Sequence, residues 1–134
     1  MRRPRGIVSA ALFTLVATAC SGAGTSETDD AEEAALAFYE GLRSRPADAC
    51  ALLAPGTLQE LESSEGPCAD SIDKQEIPDA SAVAHVDVYG KQAMVELDED
   101  VAFLAHFSAG WKVTAAGCVA NGERHPYECS VKGS

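Results

Sequence analysis

"ASAVAHVDVYGKQAMVELD", residues 80–98, decides the fold, because the chain changes its hydrophobic period there. Ala82, Ala84, Val86 and Val88 alternate with Val83, His85, Asp87 and Tyr89, the period of two expected of a half-buried strand. Gly90-Lys91 supplies a turn, and alternation resumes with Ala93, Val95 and Leu97 on the inward side. Asp98-Glu99-Asp100 reads as a solvated connection. A third apolar strand "VAFLAHF" follows, then Ser108-Ala109-Gly110, then "WKVTAAG" with Trp111, Val113 and Ala115 on one side.

Upstream the period is helical. Asp30 with Glu33 three residues on reads as a helix start, and Ala31, Ala35, Phe38 and Leu42 share one face with Tyr39 at its border. Gly41 and Pro46 end this helix near Ser44. "ADACALLAP" reads as a second short helix, Pro55-Gly56 as a break, and Thr57 with Glu60 as a capping box opening a third. Helices first and an antiparallel meander second predict an α+β fold, N-terminal helices packed on a curved sheet of about four strands.

The first nineteen residues read as an export signal: Arg2, Arg3 and Arg5 precede the apolar run "IVSAALFTLVATA". That run is too short for a permanent span, which takes roughly 20 apolar residues. Val16, Ala17, Thr18, Ala19 and Cys20 resemble a bacterial lipobox, with Ala17 where a larger aliphatic is usual. The resemblance implies that Cys20 carries a diacylglyceryl thioether and becomes the mature N-terminus; ordinary cleavage after Ala19 is the alternative. Two or more acyl chains anchor stably where one does not. The expected localisation is the extracytoplasmic face of the cell membrane. Residues 20–29, "CSGAGTSETD", are expected to form a flexible linker, and residues 30–134 a single domain.

Cys50, Cys68, Cys118 and Cys129 remain, an even set in an exported chain and so a disulfide framework. Of three possible pairings, Cys50 with Cys68 and Cys118 with Cys129 bracket the shortest segments. The first would clip the second helix to the segment after the third, and the second would hold Tyr127 against the end of the Trp111 strand. With no Cys-x-x-Cys knuckle, no metal site is expected. Without Arg2, Arg3 and Arg5, seven basic side chains face 21 acidic ones, a balance of −14 that argues against nucleic acid.

The helix-then-sheet order resembles the nuclear-transport-factor-like or cystatin-like roll. "GWKVTAAGC" followed by "HPYEC", with Trp111, Gly117, Cys118, Pro126, Tyr127 and Cys129, is similar to the ends of small lipoproteins of high-GC Gram-positive bacteria. The roll implies either a binding or assembly module or a ketosteroid isomerase-like or cyclase-like enzyme, whose base would come from His85, Asp87, Tyr89 or His106. His85, Asp87 and Tyr89 fall on the outward face, so no catalytic residue and no cofactor is assigned. Ser130 and Thr114 lack a His-acid partnership, and no phosphate loop or nucleophile elbow occurs. The expected role is a non-catalytic module binding a small apolar ligand or an envelope protein; the alternatives are the enzyme and an inert structural component of an envelope complex.

Overall fold

The computed structural model describes residues 23–123 and 126–133. The expected leader, Cys20 and the first residues of the expected linker lie outside them. α1 (Ala23–Ser44), α2 (Pro46–Ala51), α3 (Pro55–Glu65) and α4 (Cys68–Ser71), extended by a 3-10 turn at Ile72–Lys74, precede five strands. These are β1 (Val83–Tyr89), β2 (Gln92–Leu97), β3 (Val101–Phe107), β4 (Gly110–Val119) and β5 (Glu128–Lys132). They form one antiparallel sheet in the order β1-β2-β3-β4-β5. The fold is α+β, with one strand more than expected: β5 is only five residues long, and its single fully buried side chain is Val131.

α1 begins at Ala23 and not at Asp30. The expected linker is therefore helical from Ala23 on. No proline interrupts "AGTSETDD", and once a helix is nucleated by packing, each further turn costs little. Packing supplies that nucleus from Ala31 onward, where Ala31, Ala35, Phe38 and Tyr39 are buried. Tyr39 is a core residue, not a border one, and Leu42 is only half-buried. Gly41 lets α2 approach: a Cβ there would stand 2.7 Å from the backbone nitrogen of Ala49. α3 starts at Pro55, at the first helical position where a missing N–H costs nothing, with Ala54 as N-cap. Thr57 does not cap it; its hydroxyl donates to the Thr114 carbonyl, 2.9 Å away.

Two bulges reset the inward faces predicted from simple alternation. In β1 the pairing steps from Val83↔Leu97 to His85↔Glu96, so Val83 packs on the core and Ala84 is exposed. In β4 it steps from Val113↔Leu104 to Ala115↔Phe103, so Ala116, not Ala115, is fully buried. Beyond the end of β5, the free edge of β4 is taken by the loop after α2. Val113 N–H donates to Leu52 O and Ala54 N–H to Val113 O, both at 2.8 Å. An edge left open would be a template for pairing with other chains.

The helices cover one face of the sheet. Val95, Leu104 and Val113 meet Phe38 and Tyr39 there, each at most 2 % exposed. Cys50 is bonded to Cys68, joining α2 to α4. Cys118 is bonded to Cys129 directly across the β4–β5 ladder. Loops of this size are worth roughly 3 kcal/mol each in the chain-entropy account.

Candidate functional site

The polar centre of the molecule lies in the acidic turn that reads as solvated in the sequence. Leu97 N–H donates to Asp100 O at 2.8 Å, closing the β2–β3 turn. Of its three carboxylates only Glu99 is without a structural partner among the interactions described. Asp98 accepts from Ser81 N–H (3.0 Å), Ala82 N–H (3.3 Å) and the Ser81 hydroxyl (3.3 Å), fixing the entry to β1. The backbone donor of Ser81, then that of Ala82, holds the Asp98 carboxyl below the usual carboxylate range.

Asp100 is 7 % exposed. Its Oδ2 accepts from Gly117 N–H at 2.8 Å and from the Tyr39 hydroxyl; its Oδ1 accepts from Cys118 N–H at 3.0 Å. One carboxylate thus joins α1, the β2–β3 turn and β4. Only glycine suits position 117: its φ of +66° is left-handed, and a Cβ would meet the Ser130 side chain at 2.7 Å. Burial, then the bond to Asp100, pushes the Tyr39 phenol far above its ordinary range, so it is a permanent donor.

Above Tyr39 a cleft of about 260 Å³ opens between α1 and the segment after α4, lined by Leu42, Ile72, Ile77 and Pro78 with Arg43 and Asp79 at its polar side. Arg43 bonds Glu40 at 2.7 Å, Asp79 at 2.9 Å and the Ala80 carbonyl at 2.7 Å. A general base needs a lone pair facing its substrate. The Asp100 oxygens face three donors of the chain itself, so this arrangement cross-links the fold.

The candidates read from the sequence lie elsewhere. His85 Nε2 is 3.0 Å from Asp87 Oδ1 on the outer face of β1, while Tyr89 on the same face is 71 % exposed. His106 is exposed and sets its ring edge-to-face on Trp111, centroids 5.1 Å apart. The structure brings together His85 with Asp87 and His106 with Trp111, and no cavity joins the two pairs among the described clefts. Trp111 is buried, and its Nε1 has no hydrogen-bond partner among the described residues. Tyr127 packs edge-to-face on Phe103 of β3, centroids 5.2 Å apart.

Sequence reading passes over the Tyr39–Asp100 pair. The available signal is the period: Asp100 shares the register of Ala102 and Leu104, both buried, so the strand's inward face begins with the acid. Among the described residues no cluster of metal-ligating side chains occurs, and no helix is long and apolar enough to cross a membrane. No family model, no curated protein and no solved structure matches the chain.

Proposed function

We propose that the chain is a lipid-anchored, extracytoplasmic docking module without catalytic activity, built on a cystatin-like roll and engaging an envelope protein through the uncovered face of its sheet. The observation that carries this reading is the contrast between the two faces. Phe38, Tyr39 and Leu104 fill the space between helices and sheet, leaving little room there for an apolar ligand. On the opposite face Met94 and Phe103 pair across β2 and β3, Phe103 pairs with Ala115, and Tyr127 folds over Phe103. Among the described residues no helix covers that face, and an aromatic centre with a polar rim is the composition of protein-docking surfaces. His85, Asp87, Glu96 and Lys132 lie around it by register.

The lipid anchor rests on the small residues before Cys20 and on the pairing of the other four cysteines with one another. A photo-cross-linking residue at Met94, in the full chain in its own envelope, is expected to give one discrete adduct that a Phe103→Glu variant loses. The same residue at exposed Glu99 should give none. A discrete small-molecule adduct at Leu42 or Ile77, with nothing at Met94, would instead favour the ligand-binding reading of the cleft above Tyr39.

A further inference from the structure

Large apolar side chains stand exposed at three places among the described residues: Tyr89 (71 %), Phe107 (37 %) and Val119 (70 %). Tyr89 and Phe107 share the sheet end made by the β1–β2 and β3–β4 turns, and the same outer face: Tyr89 pairs with Gln92, Gln92 with Ala105, and Phe107 lies two residues beyond Ala105. Val119 is at the far end of β4. The charge at the turns departs from the rest of the chain. Residues 89–92 and 105–112, "YGKQ" and "AHFSAGWK", carry Lys91, Lys112 and His106 and no acid, in a chain with 21 acidic side chains. Lys112 is committed to the Ala51 carbonyl at 2.9 Å, which leaves Lys91 as the cation of the tip without an ion pair or side-chain hydrogen bond among the described residues. Asp87, next along the outer face of β1, faces His85. Glu27 is the one carboxylate lining the cleft that also contains Lys91, His106 and Phe107.

The position of α1 supplies the occupant. Glu27 places the second turn of α1 beside these turns, whereas Tyr39 and Arg43 lie at the opposite end with Asp100 and Asp79. From Glu27 back to Ala23 the helix rises ~6 Å, and the three peptide units from Ala23 to Cys20 span at most ~10 Å. The chain thus lets a lipid on Cys20 reach no further than about 16 Å from Glu27, which lines the cleft at the tip, while the Arg43 end is roughly 30 Å further along the helix than Ala23.

We propose that the tip formed by the β1–β2 and β3–β4 turns rests on an anionic bilayer surface, with the Tyr89 and Phe107 rings at headgroup level and the Lys91 ammonium against lipid phosphate. This rests on the reading that Cys20 is lipidated. The tyrosine ring, with one apolar and one wet side, favours the membrane interface, the phenylalanine ring adds apolar contact, and a basic side chain near the surface adds electrostatic attraction. Asp79, Asp98 and Asp100, at the opposite end, then stand away from the headgroups, the domain end-on and not flat, with Glu27 the carboxylate beside Lys91 at the tip. The outer sheet face stays open to a partner.

The test uses the full lipidated chain, reconstituted in phosphatidylcholine–phosphatidylglycerol vesicles carrying bromine on the acyl chains near the headgroup. Single tryptophans are placed at Tyr89→Trp, Phe107→Trp or Val119→Trp in a Trp111→Phe background, and native folding is checked by circular dichroism. The expected result is flotation of all three, with emission at 89 and 107 quenched roughly twofold and emission at 119 unchanged. A Lys91→Glu variant should lose most of the quenching yet still float. Flotation with equal emission at all three positions overturns the tip contact and leaves the anchor standing. Failure of the full chain to float, matching a Cys20→Ala chain, overturns the anchor and the tip contact with it. Quenching at 89 and 107 that persists in vesicles lacking anionic lipid removes Lys91 from the contact.

Discussion

Replacing Asp100 with alanine tests the claim that this carboxylate is a cross-link. Three donors converge on it: Gly117 N–H at 2.8 Å, Cys118 N–H at 3.0 Å and the Tyr39 hydroxyl. Asp100→Ala leaves all three without partners in a site where the acid is 7 % and Tyr39 1 % exposed. A buried donor stripped of its acceptor costs about 1–3 kcal/mol. Allowing for some relaxation toward water at the turn, the expected loss is about 4 kcal/mol, a large share of the roughly 5–15 kcal/mol available to a domain. Tyr39→Phe removes one donor and leaves the carboxylate its two backbone N–H partners, so about 1.5 kcal/mol is expected. The double variant should fall short of the sum by about 1 kcal/mol, because the second change has no phenol–carboxylate bond left to break. Urea denaturation of the oxidised Cys20→Ala chain measures all three; with a slope of about 2 kcal/mol/M, Asp100→Ala should shift the midpoint by about 2 M. An Asp100→Ala loss below 1 kcal/mol, or full additivity with Tyr39→Phe, would refute the reasoning.

The phenol also predicts a pH dependence. Its folded pKa lies above the unfolded value near 10, so its contribution is complete below pH 10 and is lost as pH rises beyond it, at about 1.4 kcal/mol per pH unit; Tyr39→Phe should flatten that part of a urea-midpoint profile. Gly117→Ala should destabilise by about 2 kcal/mol or more, because the left-handed φ and the Ser130 side chain both oppose a Cβ; thermal melts check it. Trp111→Phe should cost less than about 1.5 kcal/mol in the same melts, since the indole N–H has no bond to lose. Cys118→Ser with Cys129→Ser should cost roughly 3 kcal/mol by urea denaturation, and peptide mapping of the parent should recover those two cysteines linked.

The hairpin at residues 80–98 carries enough alternation to give the class of fold, since β2 keeps one strict period through Ala93, Val95 and Leu97. β1 and β4 do not. A bulge inserts one residue and exchanges every side chain beyond it between faces, so Ala84 and Ala115 trade places with Val83 and Ala116. Nothing in composition marks such an insertion. β5 escapes a periodicity search because five residues with one fully buried side chain give too short a pattern; only Cys129, opposite Cys118, betrays the pairing. The Tyr39–Asp100 bond joins positions 61 residues apart, and neither local sequence contains the other's reason. An acid in a run of three acids reads as solvated until the register shows that its side chain faces the core.

The two ends of the sheet are held differently, and the difference bears on which end is free to meet another surface. At the Asp100 end, four constraints fall within a few residues: the carboxylate takes the N–H groups of Gly117 and Cys118, Cys118 is bonded to Cys129, Tyr39 ties α1 to the same acid, and Asp98 fixes the start of β1. At the other end the connections are the short turns after Tyr89 and Phe107, with Gly90 and Gly110 in left-handed backbone that asks for no side-chain support. Local stability follows the density of such buried and bonded contacts. A contact made by Tyr89, Lys91 and Phe107 therefore orders side chains at the lightly held end without disturbing the cross-linked one, and the uncovered sheet face between the two ends keeps its geometry while the tip is engaged.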